Sequence, residues 1–265
     1  MKNKILALAA ALLLFAVCMA QPVQWRGEQR DGWFRNETNL LKQWPEGGPE
    51  MVLKAENLGK GFSSPVVYNN TIYITGMKDS RDYLTAIDMQ GNTRWQVSYG
   101  RSWVRSFPDT RSSPTIDDNR VYVLAGTGKL SCYNTSDGSL VWSIDVDTDY
   151  QAEWHNWGVA ESPLVVDDLV ICSPGGGYAS VVAFNKLTGK EVWRTSVIGG
   201  QRSYVSPALY EHNGNRLILA ATASHLAGIR PENGEVAWSY NYMAAKEWDQ
   251  PGLIWANTPI WHENQ

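Results

Sequence analysis

Ala160-Glu161-Ser162-Pro163-Leu164-Val165-Val166, a turn at Asp167-Asp168, Leu169-Val170-Ile171-Cys172, a loop through Gly175-Gly176-Gly177, Val181-Val182-Ala183-Phe184-Asn185, and Lys186-Leu187-Thr188-Gly189-Lys190-Glu191-Val192-Trp193-Arg194 form one complete unit of a pattern that the chain writes four times. The unit reads as four short strands joined by three turns. Two marks fix it: a Pro near its start, preceded by Ser, and a Gly followed four residues later by Trp at its end. The prolines are Pro65, Pro114, Pro163 and Pro207, spaced by 49, 49 and 44 residues, and Thr258-Pro259 opens a fifth unit 52 residues on. The closing pairs are Gly91 with Trp95, Gly138 with Trp142, Gly189 with Trp193, and Gly234 with Trp238. A strand-built period of roughly 40 to 50 residues is the mark of β-propeller blades.

The expected fold is therefore all-β: a propeller of four-stranded antiparallel blades near 63–97, 112–144, 161–195 and 205–240, with another starting at 256–265. Four blades and the start of a fifth do not close a ring, so a longer, C-terminally continued protein of seven or eight blades is expected. Hairpin turns at Asn69-Asn70, Asp117-Asp118-Asn119 and Asp167-Asp168 use residues that tolerate positive φ. Inner strands such as Ile72-Tyr73-Ile74 are nearly continuously apolar, which suits strands covered on both faces. Residues 21–62 stand outside the repeat; a strand at Met51-Val52-Leu53-Lys54-Ala55 is expected, and the segment is assigned as a ring-closing strand that hides sheet edges.

The first twenty residues read as a signal peptide: Lys2 and Lys4, an apolar run from Ile5 to Val17, and Cys18-Met19-Ala20 before Gln21. An extracytoplasmic, periplasmic location follows. Lipidation of Cys18, with membrane association, is the alternative to simple export, although Val17 suits it poorly. Without the leader the chain carries 21 basic and 27 acidic side chains, a balance that argues against a nucleic-acid partner. No later run is long and apolar enough to span a bilayer. Cys132 and Cys172 occupy non-equivalent places in two units and are read as separate buried thiols.

The repeated ending, fullest in Val182-Ala183-Phe184-Asn185-Lys186-Leu187-Thr188-Gly189-Lys190-Glu191-Val192-Trp193, resembles the tryptophan-docking repeat of the pyrroloquinoline quinone (PQQ)-like β-propellers, and Trp25-Arg26-Gly27 with Arg30-Asp31-Gly32 is similar to the start of exported bacterial members. The resemblance covers about residues 63–261. It implies either a non-catalytic binding or assembly scaffold, similar to the outer-membrane protein assembly scaffold, or a PQQ- and Ca²⁺-dependent dehydrogenase of alcohols or sugars. The dehydrogenase pattern includes an adjacent cysteine pair, which this sequence lacks. It also includes a carboxylate in a glycine loop, where Ser173-Pro174-Gly175-Gly176-Gly177-Tyr178 offers none. The scaffold is accordingly the first expectation, with no cofactor and with an unidentified protein or a small polar or sugar ligand as partner; a glycan-binding module is a third reading.

Trp95, Trp142, Trp193 and Trp238 are assigned to packing between blades, each indole N–H donating to a neighbouring backbone. Binding candidates lie in the connections between blades: Trp103, Arg105, Asp109 and Arg111; Trp154, His155, Trp157 and Glu161; Glu247, Trp248, Asp249, Trp255 and Asn257. Arg111, Glu161 and Asn257, just ahead of their prolines, are expected to point into the channel, where converging polar groups would bind a small ligand. The competing reading is an Arg111–Glu161 ion pair. His155 lacks a metal-ligand partner at useful spacing and reads as a packing or surface residue, and the loop tryptophans either stack planar ligands or seal the blade tops. No phosphate loop, nucleophile elbow or zinc spacing occurs.

Overall fold

A computed structural model describes residues 21–153, 157–244 and 256–260. It contains four antiparallel sheets, each of four strands consecutive in sequence. Blade 1 comprises β1 (Val66–Tyr68), β2 (Thr71–Lys78), β3 (Arg81–Asp88) and β4 (Thr93–Arg101); blade 2 comprises β5 (Thr115–Asp117), β6 (Arg120–Leu124), β7 (Lys129–Asn134) and β8 (Leu140–Asp145). Blade 3 comprises β9 (Leu164–Val166), β10 (Leu169–Cys172), β11 (Val182–Asn185) and β12 (Glu191–Arg194), and blade 4 comprises β13 (Ala208–His212), β14 (Asn215–Ala221), β15 (His225–Ile229) and β16 (Val236–Asn241). One helical turn, α1 (Val146–Asp149), follows blade 2 and is capped by the Asp145 side chain, which accepts from the Thr148 amide.

The core lies between blades, in three apolar clusters. In β6, Val121 and Val123 pack with Leu84 and Tyr99 of blade 1, while Tyr122 and Leu124 pack with Val170 and Phe184 of blade 3. Alternate side chains thus face opposite neighbours, which is why inner strands read as unbroken apolar runs. β1 departs from this pattern: Val67 is 54% exposed because no described blade covers that face. Cys132 and Cys172 are both buried and free, in the cluster between blades 2 and 3.

Both repeat marks are joints between blades. The indole N–H groups of Trp95, Trp142 and Trp193 donate to the carbonyls of Thr135, Lys186 and Pro231 in the next blade, at 3.0, 3.0 and 2.8 Å. Each acceptor lies three residues before the next unit's closing glycine, and a Cβ on Gly138, Gly189 or Gly234 would stand 2.6–2.7 Å from the arriving ring. The glycine therefore serves the preceding blade's tryptophan. Trp238 lies against Gly228 of its own sheet and is 39% exposed.

The opening serines make a second chain of joints. Ser113 Oγ accepts from the Ser64 amide, Ser162 Oγ from the Ser113 amide, and Ser206 Oγ from the Ser162 amide, each at 2.9 Å. Inner strands of four blades are thereby linked where the backbone has no sheet partner.

Residues 51–55 form no strand, contrary to the expectation from their apolar content; they lie across the blade 1 turn, with the Lys54 carbonyl against Gly91. The strand-like pairings of residues 21–62 with the rest of the chain are isolated single bridges, Val23 to Ile116, Lys60 to Met77 and Gly61 to Thr110. Residues 1–20, including Cys18, fall outside the described residues.

Candidate functional site

The connections between blades and the loops between second and third strands meet at one end of the blades. The feature that unites them came from outside the repeat. Arg30 is 1% exposed and lies against the inner ends of three blades. Its Nη1 donates to the carbonyls of Ser162 and Pro207 at 2.9 and 3.0 Å, its Nη2 to the Pro163 carbonyl and to Thr115 Oγ1 (3.4 Å), and its Nε and Nη2 to Gln24 Oε1. Burial lowers its pKa to about 9, opposed by the nearby Glu161.

Glu161 does not face an open channel. It is fully buried, and its two carboxylate oxygens accept the Ser173 amide at 2.9 and 3.1 Å. Burial pushes its pKa up to about 8, while Arg202, the Ser173 amide and Arg30 pull the other way. Nor does Glu161 pair with Arg111: the cations that act on it are Arg202 and Arg30. Arg202 Nε donates to the Ser173 carbonyl at 2.9 Å, and its Nη1 lies 2.7 Å from Asp147 Oδ1. The glycine loop accommodates this network: a Cβ on Gly176 would meet Gln151 O and Glu153 N, each at 2.7 Å, and one on Gly175 would meet the Arg202 backbone.

A second buried carboxylate closes the joint between blades 1 and 2. Asp82 accepts from Ser102 Oγ, from Thr110 Oγ1 and, at 2.8 Å, from the Gly126 amide. Burial raises its pKa against the pull of these donors.

Arg111 is half-buried. Its Nη2 donates weakly to the Ser106 carbonyl at 3.4 Å, and the groups acting on it are Tyr204, Asp109 and Asp82. Trp103 is 4% exposed, donates from Nε1 to the Ser106 carbonyl at 3.1 Å and packs on Gly158; it seals a joint instead of offering a stacking face. Arg105 lies over that ring at 5.2 Å. Trp157, 39% exposed, lies 5.3 Å from the Tyr204 ring and 6.2 Å from Phe107, and its amide donates to Tyr204 Oη at 3.1 Å. Asn257 is exposed. Trp154, His155, Glu247, Trp248, Asp249 and Trp255 lie outside the described residues.

Sequence reasoning missed Arg30, Asp82, Asp147, Arg202, Phe107 and Tyr204. Three of these had a signal: Phe107 lies within the connection from Trp103 to Arg111, and Gln201-Arg202-Ser203-Tyr204 is a connection of the same kind ahead of the fourth blade.

Two carboxylates lie at the glycine loop: Glu161, whose oxygens accept the Ser173 amide, and Glu153, whose Oε1 would stand 4.0 Å from a Cβ on Gly177; among the described residues no group of three His, Cys, Asp or Glu side chains converges to hold a metal.

Two curated relatives show the range of similar proteins. Over 184 residues the chain is 28% identical to outer membrane protein assembly factor BamB of Alkalilimnicola ehrlichii, covering 67% of this chain and 42% of that protein. Over 186 residues it is 26% identical to quinohemoprotein alcohol dehydrogenase ADH-IIG of Pseudomonas putida, covering 66% and 24%. The chain thus spans less than half the length of either. The solved structure of the Pseudomonas putida enzyme superposes with a TM-score of 0.54 at 18% identity, covering 72% of this chain and 36% of that one, which shows the fold alone. With the family model for outer membrane protein assembly factor BamB matching residues 80–250, well over half of its length, this chain belongs to that family of PQQ-like propellers.

Proposed function

We propose that this chain supplies four blades of a larger extracytoplasmic propeller that works as a non-catalytic assembly scaffold, contacting protein partners through its mouth loops. The observation that carries the reading is where the mouth's polar groups are spent. Arg30, Glu161 and Asp82 are buried and bonded within the chain, whereas Phe107 (72% exposed) and Val104 (51%) face solvent. Inward polar groups beneath outward apolar ones suit a surface that meets protein better than a pocket that orients a small substrate. The assembly-factor relatives support the same reading; the quinohemoprotein relative supports the dehydrogenase as its rival.

Deletion of the gene in its source organism, with quantification of outer-membrane β-barrel proteins, tests this. Barrel abundance should fall and recover on complementation, and the full gene product with PQQ and Ca²⁺ should give no dye-linked alcohol oxidation. Unchanged barrels together with saturable PQQ binding and turnover would replace the scaffold by the dehydrogenase.

A further inference from the structure

The connection between blades 1 and 2 presents a feature that packing does not require. Phe107 is 72% exposed and adopts φ +44°, and Asp109, two residues on, adopts φ +93°. An L-residue held in the left-handed region costs about 1 kcal/mol or more. Here the result of that cost is an apolar ring turned toward water. Trp157, from the next connection, meets Phe107 edge to face at 6.2 Å, and Tyr204, from the connection after that, tilts against Trp157 at 5.3 Å. Three successive connections therefore contribute one ring each to a continuous aromatic step.

Charge beside the step is net positive, with Asp109 the acidic residue among the arginines. Residues 101–111 carry three arginines against one aspartate, in a chain whose net charge is −4. Arg105 is anchored over Trp103, and Arg111 stands near Tyr204, with Nη1 enclosed by protein and engaged in no hydrogen bond. Its one bond, from Nη2 to the Ser106 carbonyl, is long at 3.4 Å. Nη1 is closed to an arriving group, so the half-buried guanidinium presents Nε and the weakly bonded Nη2, and these, beside aromatic faces, match a carboxylate that arrives with an apolar side chain.

We propose that the Phe107–Trp157–Tyr204 step with Arg111 is a docking site for an acidic peptide segment of a protein partner. An apolar side chain of the segment lies on the rings, and a neighbouring carboxylate meets the guanidinium. The proposal deepens the scaffold reading and rests on it.

Selection of a phage-displayed random dodecapeptide library on the purified chain tests it, with parallel selections on Arg111→Gln and Phe107→Ser. Phe107 is exposed, so its replacement leaves folding intact even if Arg111→Gln does not. Peptides enriched on the wild type should carry Asp or Glu within two or three positions of an aromatic or aliphatic residue. A synthetic peptide of that consensus should bind at least tenfold more weakly to either variant and should lose affinity as salt rises. Enrichment of basic or uncharged peptides, enrichment that both variants retain, or no enrichment over a blank support would overturn the proposal. Failure here with barrel loss in the deletion strain removes this site and leaves the scaffold; a clear acidic consensus without barrel loss keeps the site and removes the assembly role.

Discussion

Arg30 concentrates more of the fold in one side chain than any residue of the repeat, because its planar fork reaches backbone carbonyls that belong to different blades. Removing it leaves the carbonyls of Ser162, Pro163 and Pro207 facing a buried space without that donor. Charge-assisted bonds contribute about 1.5–3 kcal/mol each and are not additive. Arg30→Met, which keeps the stem, should therefore lower stability by about 3 kcal/mol in urea denaturation, and Arg30→Lys, with charge but no fork, should recover only part of it. Full recovery by lysine would reduce the role to charge alone. Glu161 gives a pH-dependent expectation at the same scale. Burial raises its pKa from 4.5 to about 8, so the folded state holds a proton that the unfolded chain releases. Its contribution is complete below about pH 4.5 and is lost as pH rises through about 8, with a slope of at most about 1.4 kcal/mol per pH unit. Denaturation midpoints of the wild type should fall between pH 5 and 8 relative to those of Glu161→Gln. A constant difference between the two proteins would mean that the carboxyl is already ionised in the fold.

The element-scale logic is the tryptophan joint, and here the residues were largely legible while their partners were not. Gly189 and Trp193 stand four apart in the sequence, which marks them as one motif, yet Gly189 serves Trp142 of the preceding blade and Trp193 serves Gly234 of the following one. Local spacing identifies a repeat; it does not say which copy touches which. The same limit hid the serine joints, since the 49-residue interval between Ser113 and Ser162 is both the repeat length and a hydrogen bond. At the mouth, Arg111, Trp157 and Glu161 were recognisable as connection residues, but their directions depend on packing from other blades. Glu161 turned inward because the Ser173 amide and two arginines await it there. Arg30 gave no periodic signal at all, since the blade residues that hold it are 85 to 177 positions away. The joint can be tested against the cost of positive φ. Gly189 (φ +69°) has the Trp142 ring 2.7 Å from an added Cβ, whereas Gly214 (φ +76°) has nothing within 4 Å. Gly214→Ala should cost about 1 kcal/mol from conformation alone, and Gly189→Ala should cost about 2 kcal/mol more from the displaced ring. Equal losses in thermal denaturation would dissociate the glycine from the joint.

Across the whole molecule the blades form a row in which each interacts with its neighbours, so stability should vary along it as in other repeat proteins. Blades 2 and 3 have a described blade on either side, and their tryptophans are well covered, Trp142 at 9% and Trp193 at 6% exposure. Blade 4 ends in a strand, β16, exposed along nearly its whole length, with Trp238 at 39%. Replacing a covered tryptophan by phenylalanine removes an indole bond and opens space between blades, whereas the same change at Trp238 removes little that is buried. Trp142→Phe should therefore cost about 2 kcal/mol, and Trp238→Phe should remain within about 0.5 kcal/mol of the wild type. Native-state amide exchange of the same chain should show β6, β7, β10 and β11 as the slowest group and β16 as the fastest strand, because opening at blade 4 breaks one interface between described blades where opening at blade 2 or 3 breaks two. Uniform protection across the four blades, or an equal cost at the two tryptophans, would mean that the row opens as a single unit and that the interfaces are not energetically separable.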